Sequence, residues 1–235
     1  MVYRYTSPVY GEMRIVTNSR ARNIIGRMRD GMVRLTVPPG TSVEAIERAL
    51  RSIMPRLNGR ASEEENLYGS LNPVVLDHYT FIFTRQSRDP HSIIFSHGEH
   101  EASLGVGDAI DPSDPMGRKL ISDVMCAVAS ERAGQLMIPR ARTIAASLGL
   151  TPSGFSMSHG RVRLGTCDSR RHIRFSYYNF FLPEDLRDYI ICHELAHLTH
   201  MNHSKAFHSL CDSYLGGREA RLIALLRKYR WPVLR

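Results

Sequence analysis

PEDLRDYIICHELAHLTHMNHSKAFHSLCDSY, residues Pro183 to Tyr214, is the stretch whose reading decides the fold. Leu186, Tyr189, Ile190 and Leu198 recur at helical spacing, and Pro183 suits a first helical turn, where its missing N–H costs nothing. Inside the stretch stands His193-Glu194-Leu195-Ala196-His197, an HExxH pattern. Residues four apart on a helix differ by about 40° in direction and about 6 Å in rise, so His193 and His197 can share one metal ion. Neutral imidazole is a good zinc ligand, and a catalytic zinc site leaves one position open for water. Glu194, next to the first ligand, stands where a general base would take that water's proton.

The third ligand has to come from the histidines that follow, His200, His203 and His208, or from an acidic residue further on. His200 is three residues past His197, and an unbroken helix would carry it too far along the axis to close a tight tetrahedron. His203 is reached only if the helix stops and the chain turns back. Thr199 to Asn202 read as that turn, and Ser204 reads as the N-cap of the next helix. The spacing equals that of the metzincin proteases, with His200 where their turn glycine stands, which would ask a histidine to take a positive φ. Glu219 is the competing third ligand, because gluzincins draw a glutamate from a following helix. The spacing favours His203.

Beyond the zinc pattern, HELAHLTHMNHSKAF resembles the signature of the YgjP-like metallopeptidase-domain family, in which a His-Ser pair and a phenylalanine follow the HExxH helix. Upstream, Arg163-Leu164-Gly165-Thr166-Cys167 stands where that family has arginine, tryptophan, glycine, serine and cysteine, and Leu182-Pro183 through Tyr189 matches its approach to the metal helix. The resemblance covers about Leu136 to Tyr214. It departs at Leu164, at Ser176 in place of an asparagine, and at His208 in place of a tryptophan. It implies an α+β, zincin-like metal-dependent hydrolase, with His193, His197 and His203 as ligands of Zn2+ and Glu194 as catalytic base.

The chain of 235 residues carries a net charge of +8 and a sequence pI near 9.6. Nearly all of its basic residues are arginines, since lysine occurs only at Lys119, Lys205 and Lys228. Arginine forks suit phosphates and carboxylates, so an anionic small-molecule substrate or a nucleic acid fits this balance, as does a solvated basic surface without a partner. No apolar run is long enough for a membrane span, and Met1 to Pro8 holds no secretory core, so a cytoplasmic protein is expected. Cys126, Cys167, Cys192 and Cys211 form no CxxC pair and read as reduced, mostly buried thiols.

In chain order, Ile15-Val16, Ile24-Ile25 and Val33-Leu35-Val37 mark strands, with Asp30-Gly31 as a hairpin turn. Thr41 with Glu44 forms a capping box for a helix whose stripe is Val43, Ile46, Leu50, Ile53, Met54 and Leu57, and Asn58 to Gly69 reads as a loop. Strands follow at Val74 to Leu76, Tyr79 to Phe83 and Ile93 to Phe95. His97-Gly98-Glu99-His100 reads as a polar turn, because on a strand the two histidines would face opposite ways. Two helices, through Leu120 to Val128 and Ile138 to Leu148, precede two antiparallel strands, Phe155 to Leu164 and Ile173 to Phe181. Arg170, Arg171, His172, Tyr177 and Tyr178 are candidates for oxyanion contacts, with a solvated connection as the plainer alternative. Arg218 to Arg230 makes a last basic helix with Leu222, Leu225, Leu226 and Tyr229 inward. The expected architecture is one α+β domain over 1–235, β-rich over 1–118, helical and catalytic over 119–235. The expected function is zinc-dependent peptide hydrolysis, with phosphoanhydride hydrolysis at the same site, or a basic protein or protease associated with nucleic acid, as alternatives.

Overall fold

A computed structural model describes residues 2–29, 32–65 and 68–234. The chain divides into two compact units, Met1–Leu67 and Tyr68–Arg235.

In the first unit, β1 (Val2–Ser7), β2 (Gly11–Thr17), β3 (Ile25–Arg29) and β4 (Met32–Val37) form a sheet in the order β1-β2-β4-β3. β2 and β4 run parallel, and the outer strands pair antiparallel to them. Strand alternation sends Met13, Ile15, Val33, Leu35 and Val37 to one face, where they pack with Ile46, Leu50, Met54 and Leu57 of α1 (Val43–Glu65). Capping falls one residue later than the Thr41 box: Ser42 accepts from Ala45 N at 3.2 Å, while Thr41 donates to the Pro38 carbonyl. The loop expected from Asn58 is helical as far as Glu65. The Asp30-Gly31 turn lies outside the described residues.

The second unit begins with the same pattern of pairing. β5 (Val74–Val75), β6 (Thr80–Gln86), β7 (Ile93–His97) and β8 (Glu101–Gly107) make a sheet ordered β5-β6-β8-β7, again with a parallel central pair. α2 (Pro115–Ser147) follows as one helix of 33 residues, capped by Asp114 and carrying Pro139 inside it, where two helices were expected. Its buried stripe runs unbroken through Ile121, Met125, Val128, Met137, Ala141 and Ala145. A continuous packing face of that length outweighs the one hydrogen bond a proline removes. Gly149, with φ +66°, ends the turn beyond it.

A three-stranded sheet, ordered β10-β11-β9, then leads to the helix that carries His193 and Glu194; its strands are β9 (Gly154–Ser158), β10 (Gly165–Cys167) and β11 (His172–Ser176). β9 and β11, the strands expected to be antiparallel, pair in parallel, and β10 is the antiparallel partner of β11. Ile173 and Phe175 point inward as expected, but Tyr177–Phe181 leaves the strand as a 3-10 turn capped by the Ser176 side chain. α3 (Glu184–Ala196), α4 (Lys205–Tyr214) and α5 (Glu219–Lys228) complete the unit. Leu222 is buried on α5, whereas Leu225 is exposed and not part of its inward face.

Candidate metal centre

α3 is held at both flanks before it reaches the histidines. Asp77 accepts from Glu184 N at 2.7 Å and from the buried Arg187 guanidinium at 3.0 and 3.2 Å. Arg140 of α2 forks onto Asp188 at 2.9 and 2.6 Å. Leu186, Ile190, Ile191 and Leu195 sink into the core, so the helix can rotate little about its axis.

The helix ends at Ala196 with His197 as its C-cap. The chain turns back through 198–202, and Ser204 restarts it by accepting from Phe207 N at 3.3 Å, the cap expected from the sequence. Among the described residues only Leu71 and Arg171 are non-glycines with positive φ, so the return needs no left-handed histidine at 200. His200 has another role: its carbonyl lies 2.9 Å from His197 Nδ1. A carbonyl only accepts, so Nδ1 carries the proton and Nε2 keeps the lone pair a metal needs.

These turns bring His193, His197 and His203 together, with one ring nitrogen of each within 4.8 Å of the others. The Nε2 atoms of His193 and His203 are 3.1 Å apart. Two nitrogens on a tetrahedral zinc at about 2.05 Å would be about 3.3 Å apart, close to that spacing. Phe207, wholly buried, forms the floor under all three rings, its centroid 4.9, 4.5 and 4.8 Å from those of His193, His197 and His203. Burial and the other imidazoles push the pKa of His193 down to about 4, and burial lowers that of His197. These two rings are thus kept neutral, the form that binds metal.

Glu194 is almost fully buried beside this triad. Burial alone raises its pKa to about 8, and its Oε2 is buried with no hydrogen-bond partner. A carboxylate oxygen without a donor is costly in a folded interior, and it fits a site completed by a water and a cation. The room for this carboxylate comes from β10. A Cβ added to Gly165 would fall 2.5 Å from Glu194 Oε1, so only glycine lets the strand and the side chain meet. Gly165 was legible as part of the family-like run at 163–167, but not as the wall of the site. Asn179, which the sequence did not single out, braces β10 by donating to the Leu164 carbonyl at 2.7 Å.

Glu219 lies elsewhere than the triad. It is buried, its Oε1 is 2.9 Å from His208 Nδ1, and its carboxylate groups with His193 and Cys211, one ligand atom of each within 4.8 Å. His193 Nδ1, on the ring edge away from Nε2, is buried without a partner. The oxyanion candidates are engaged elsewhere: Arg171 reaches the Leu198 and Thr151 carbonyls, His172 bonds Ser156 at 2.9 Å, Tyr177 accepts from Arg161, and Tyr178 donates to Leu234 O. Arg170 is exposed in the turn after β10. His97 and His100 stand at the ends of β7 and beside β8, with Gly98 and Glu99 as the turn between them.

No described helix is long and apolar enough to cross a membrane. The family model of the YgjP-like metallopeptidase domain matches residues 22–225. Neither a curated protein nor a solved structure gives a match. The chain belongs to the YgjP-like metallopeptidase family, which makes it a hydrolase of the metallopeptidase type and implies a metal ion and a peptide or protein substrate.

Proposed function

We propose that the chain is a zinc-dependent metallopeptidase in which His193, His197 and His203 hold the ion and Glu194 is the general base. The observation that carries this reading is the convergence of three imidazoles over Phe207 with an unpartnered, buried carboxylate at their side. An all-imidazole donor set suits zinc better than magnesium or calcium, which take oxygen ligands. Bound there, zinc supplies Lewis-acid polarisation of the substrate carbonyl and lowers the pKa of a coordinated water to about 7.

The chain's own groups supply the remaining chemistry. Glu194 takes a proton from the attacking water and returns it to the leaving nitrogen, the two transfers a buried carboxylate of raised pKa is suited to. The His200 carbonyl fixes the His197 tautomer. β10 is an edge strand paired only with β11, and it adjoins Glu194 at Gly165, so an extended peptide can add to its open side. Four free cysteines accord with a reducing, cytoplasmic setting.

The test is hydrolysis of casein by purified protein, with chelator, with zinc restored, and with Glu194→Gln. Peptide cleavage that stops on chelation, returns with zinc, and falls on the order of 10²–10⁴-fold in the variant supports the reading. Chelator-sensitive phosphate release from nucleotides without peptide cleavage would transfer the site to phosphoanhydride chemistry.

A further inference from the structure

The outward face of the first sheet carries four arginines in one row. Strand register sets Arg4 opposite Arg14, Arg14 opposite Arg34, and Arg34 opposite Arg27, one from each strand in spatial order. Alternate positions on these strands face α1, so the arginines share the opposite face. With strands about 4.8 Å apart, the row is about 14 Å long. Arg4 pairs with Glu12 at 3.2 Å, and among the described residues no carboxylate pairs with Arg14, Arg27 or Arg34.

Like charges directly opposite on neighbouring strands weaken a sheet. The architecture does not demand them. The sheet of β5 to β8 has the same order and the same parallel central pair, and its corresponding outward row is Ile82, Ser103 and Ser96, without charge. A self-repelling row retained on one of two like-paired sheets is a surface made for an external anion.

We propose that this row is a docking face for the phosphate backbone of duplex DNA. Guanidinium forks take phosphate oxygens in pairs, and four in line match a polymer of evenly spaced phosphates rather than a single small anion. The row is about as long as the major groove of B-DNA is wide, about 12 Å, so its ends reach phosphates on both strands. The neighbouring outward positions are Val2, Thr6, Glu12, Val16, Ile25, Met32 and Thr36, with the acid Glu12 taken up by Arg4. None is aromatic, which leaves no stacking platform for the bases of a single strand.

Binding of the full chain to a labelled duplex of arbitrary sequence, followed by fluorescence anisotropy against salt, tests the proposal. Four phosphate contacts predict a log–log slope of about −3.6, or about a hundredfold loss between 50 and 200 mM salt. Arg14→Ala with Arg34→Ala should reduce the slope by about 2 at every sequence tested. If that variant does not fold, as judged by circular dichroism, Arg4→Ala with Arg27→Ala on the outer strands should produce the same reduction. No retention at low salt, an unchanged slope in the folded variant, or binding to anionic phospholipid vesicles in preference to the duplex overturns it. Chelator-treated protein should bind DNA equally well, so this result stands or falls apart from the hydrolase reading.

Discussion

Histidines recur in and around the second sheet and again around α3, yet only the second set is gathered. His78, His97 and His100 each find a carboxylate, Asp77 at 2.6 Å, Glu131 at 3.0 Å and Glu99 at 3.9 Å. His193, His197 and His203 find one another and Phe207. His97 ends β7, while His78 and His100 lie in the connections before β6 and β8, and histidines dispersed in this way pair singly with whatever acid is near. A helix followed by a tight return stacks two rings on one face and brings a third back over them. The consequence is seen at His193, where burial and the neighbouring imidazoles push the pKa down to about 4 and so preserve the lone pair.

The sharpest way to break this contrast is to remove one ring from each region. His203→Ala should abolish bound zinc and with it peptide hydrolysis, while His97→Ala and His100→Ala should leave both intact, as read by metal analysis of the purified proteins. Equal zinc loss in the two groups would end the distinction. Gly165→Ala drives a methyl toward Glu194, and a displacement of that size at a reacting group costs on the order of 10²-fold in kcat/KM. Zinc content should stay at the wild-type level.

Glu219→Ala is a smaller perturbation, because in the proposed site it removes a buried neighbour of His193 and not a ligand. Zinc stoichiometry should persist while affinity drops about tenfold, with Glu219→Gln recovering part of it; a loss as complete as that of His203→Ala would make Glu219 the ligand. The smallest effect is one of pH on the chelated protein. His193, lowered from 6.5 to about 4, binds a proton more readily when unfolded, so its contribution to stability disappears as pH falls through that interval. Glu194, raised from 4.5 to about 8, holds its proton better when folded, so stability declines as pH rises from 4.5 through 8. Melting curves of Glu194→Gln should lack the alkaline decline and exceed the wild type by a few degrees near pH 8.

What could be read from sequence follows from how local each signal is. Pro183, the i and i+4 histidines, and Ser204 three residues before Phe207 are all settled within one helical turn, and the structure has them where the spacing puts them. Strand direction is not local. The parallel pairing of β9 with β11 depends on β10 occupying the other side of β11, which no alternation pattern reveals. β8, Glu101–Gly107, went unread because its glycines and small residues resemble a loop, although Ala102, Leu104 and Val106 are wholly buried. The helices expected through Leu120 to Val128 and Ile138 to Leu148 are one, because the packing that keeps α2 continuous across Pro139 lies on other elements. Gly165 belongs to the same class: its necessity appears only when Glu194, 29 residues later, comes to rest against it.

His203 differs from the other two rings in being exposed and in sitting on the loop beyond the helix. In the proposed site that asymmetry would set the order in which an ion arrives and departs. His193 and His197, fixed by helix, floor and carbonyl, would form a two-toothed catch to which His203 closes last from the solvent side. Exchange with a scavenger would then proceed through the opening of a single latch, and the residence time of the metal would follow the stiffness of 198–204 more than the strength of the buried pair.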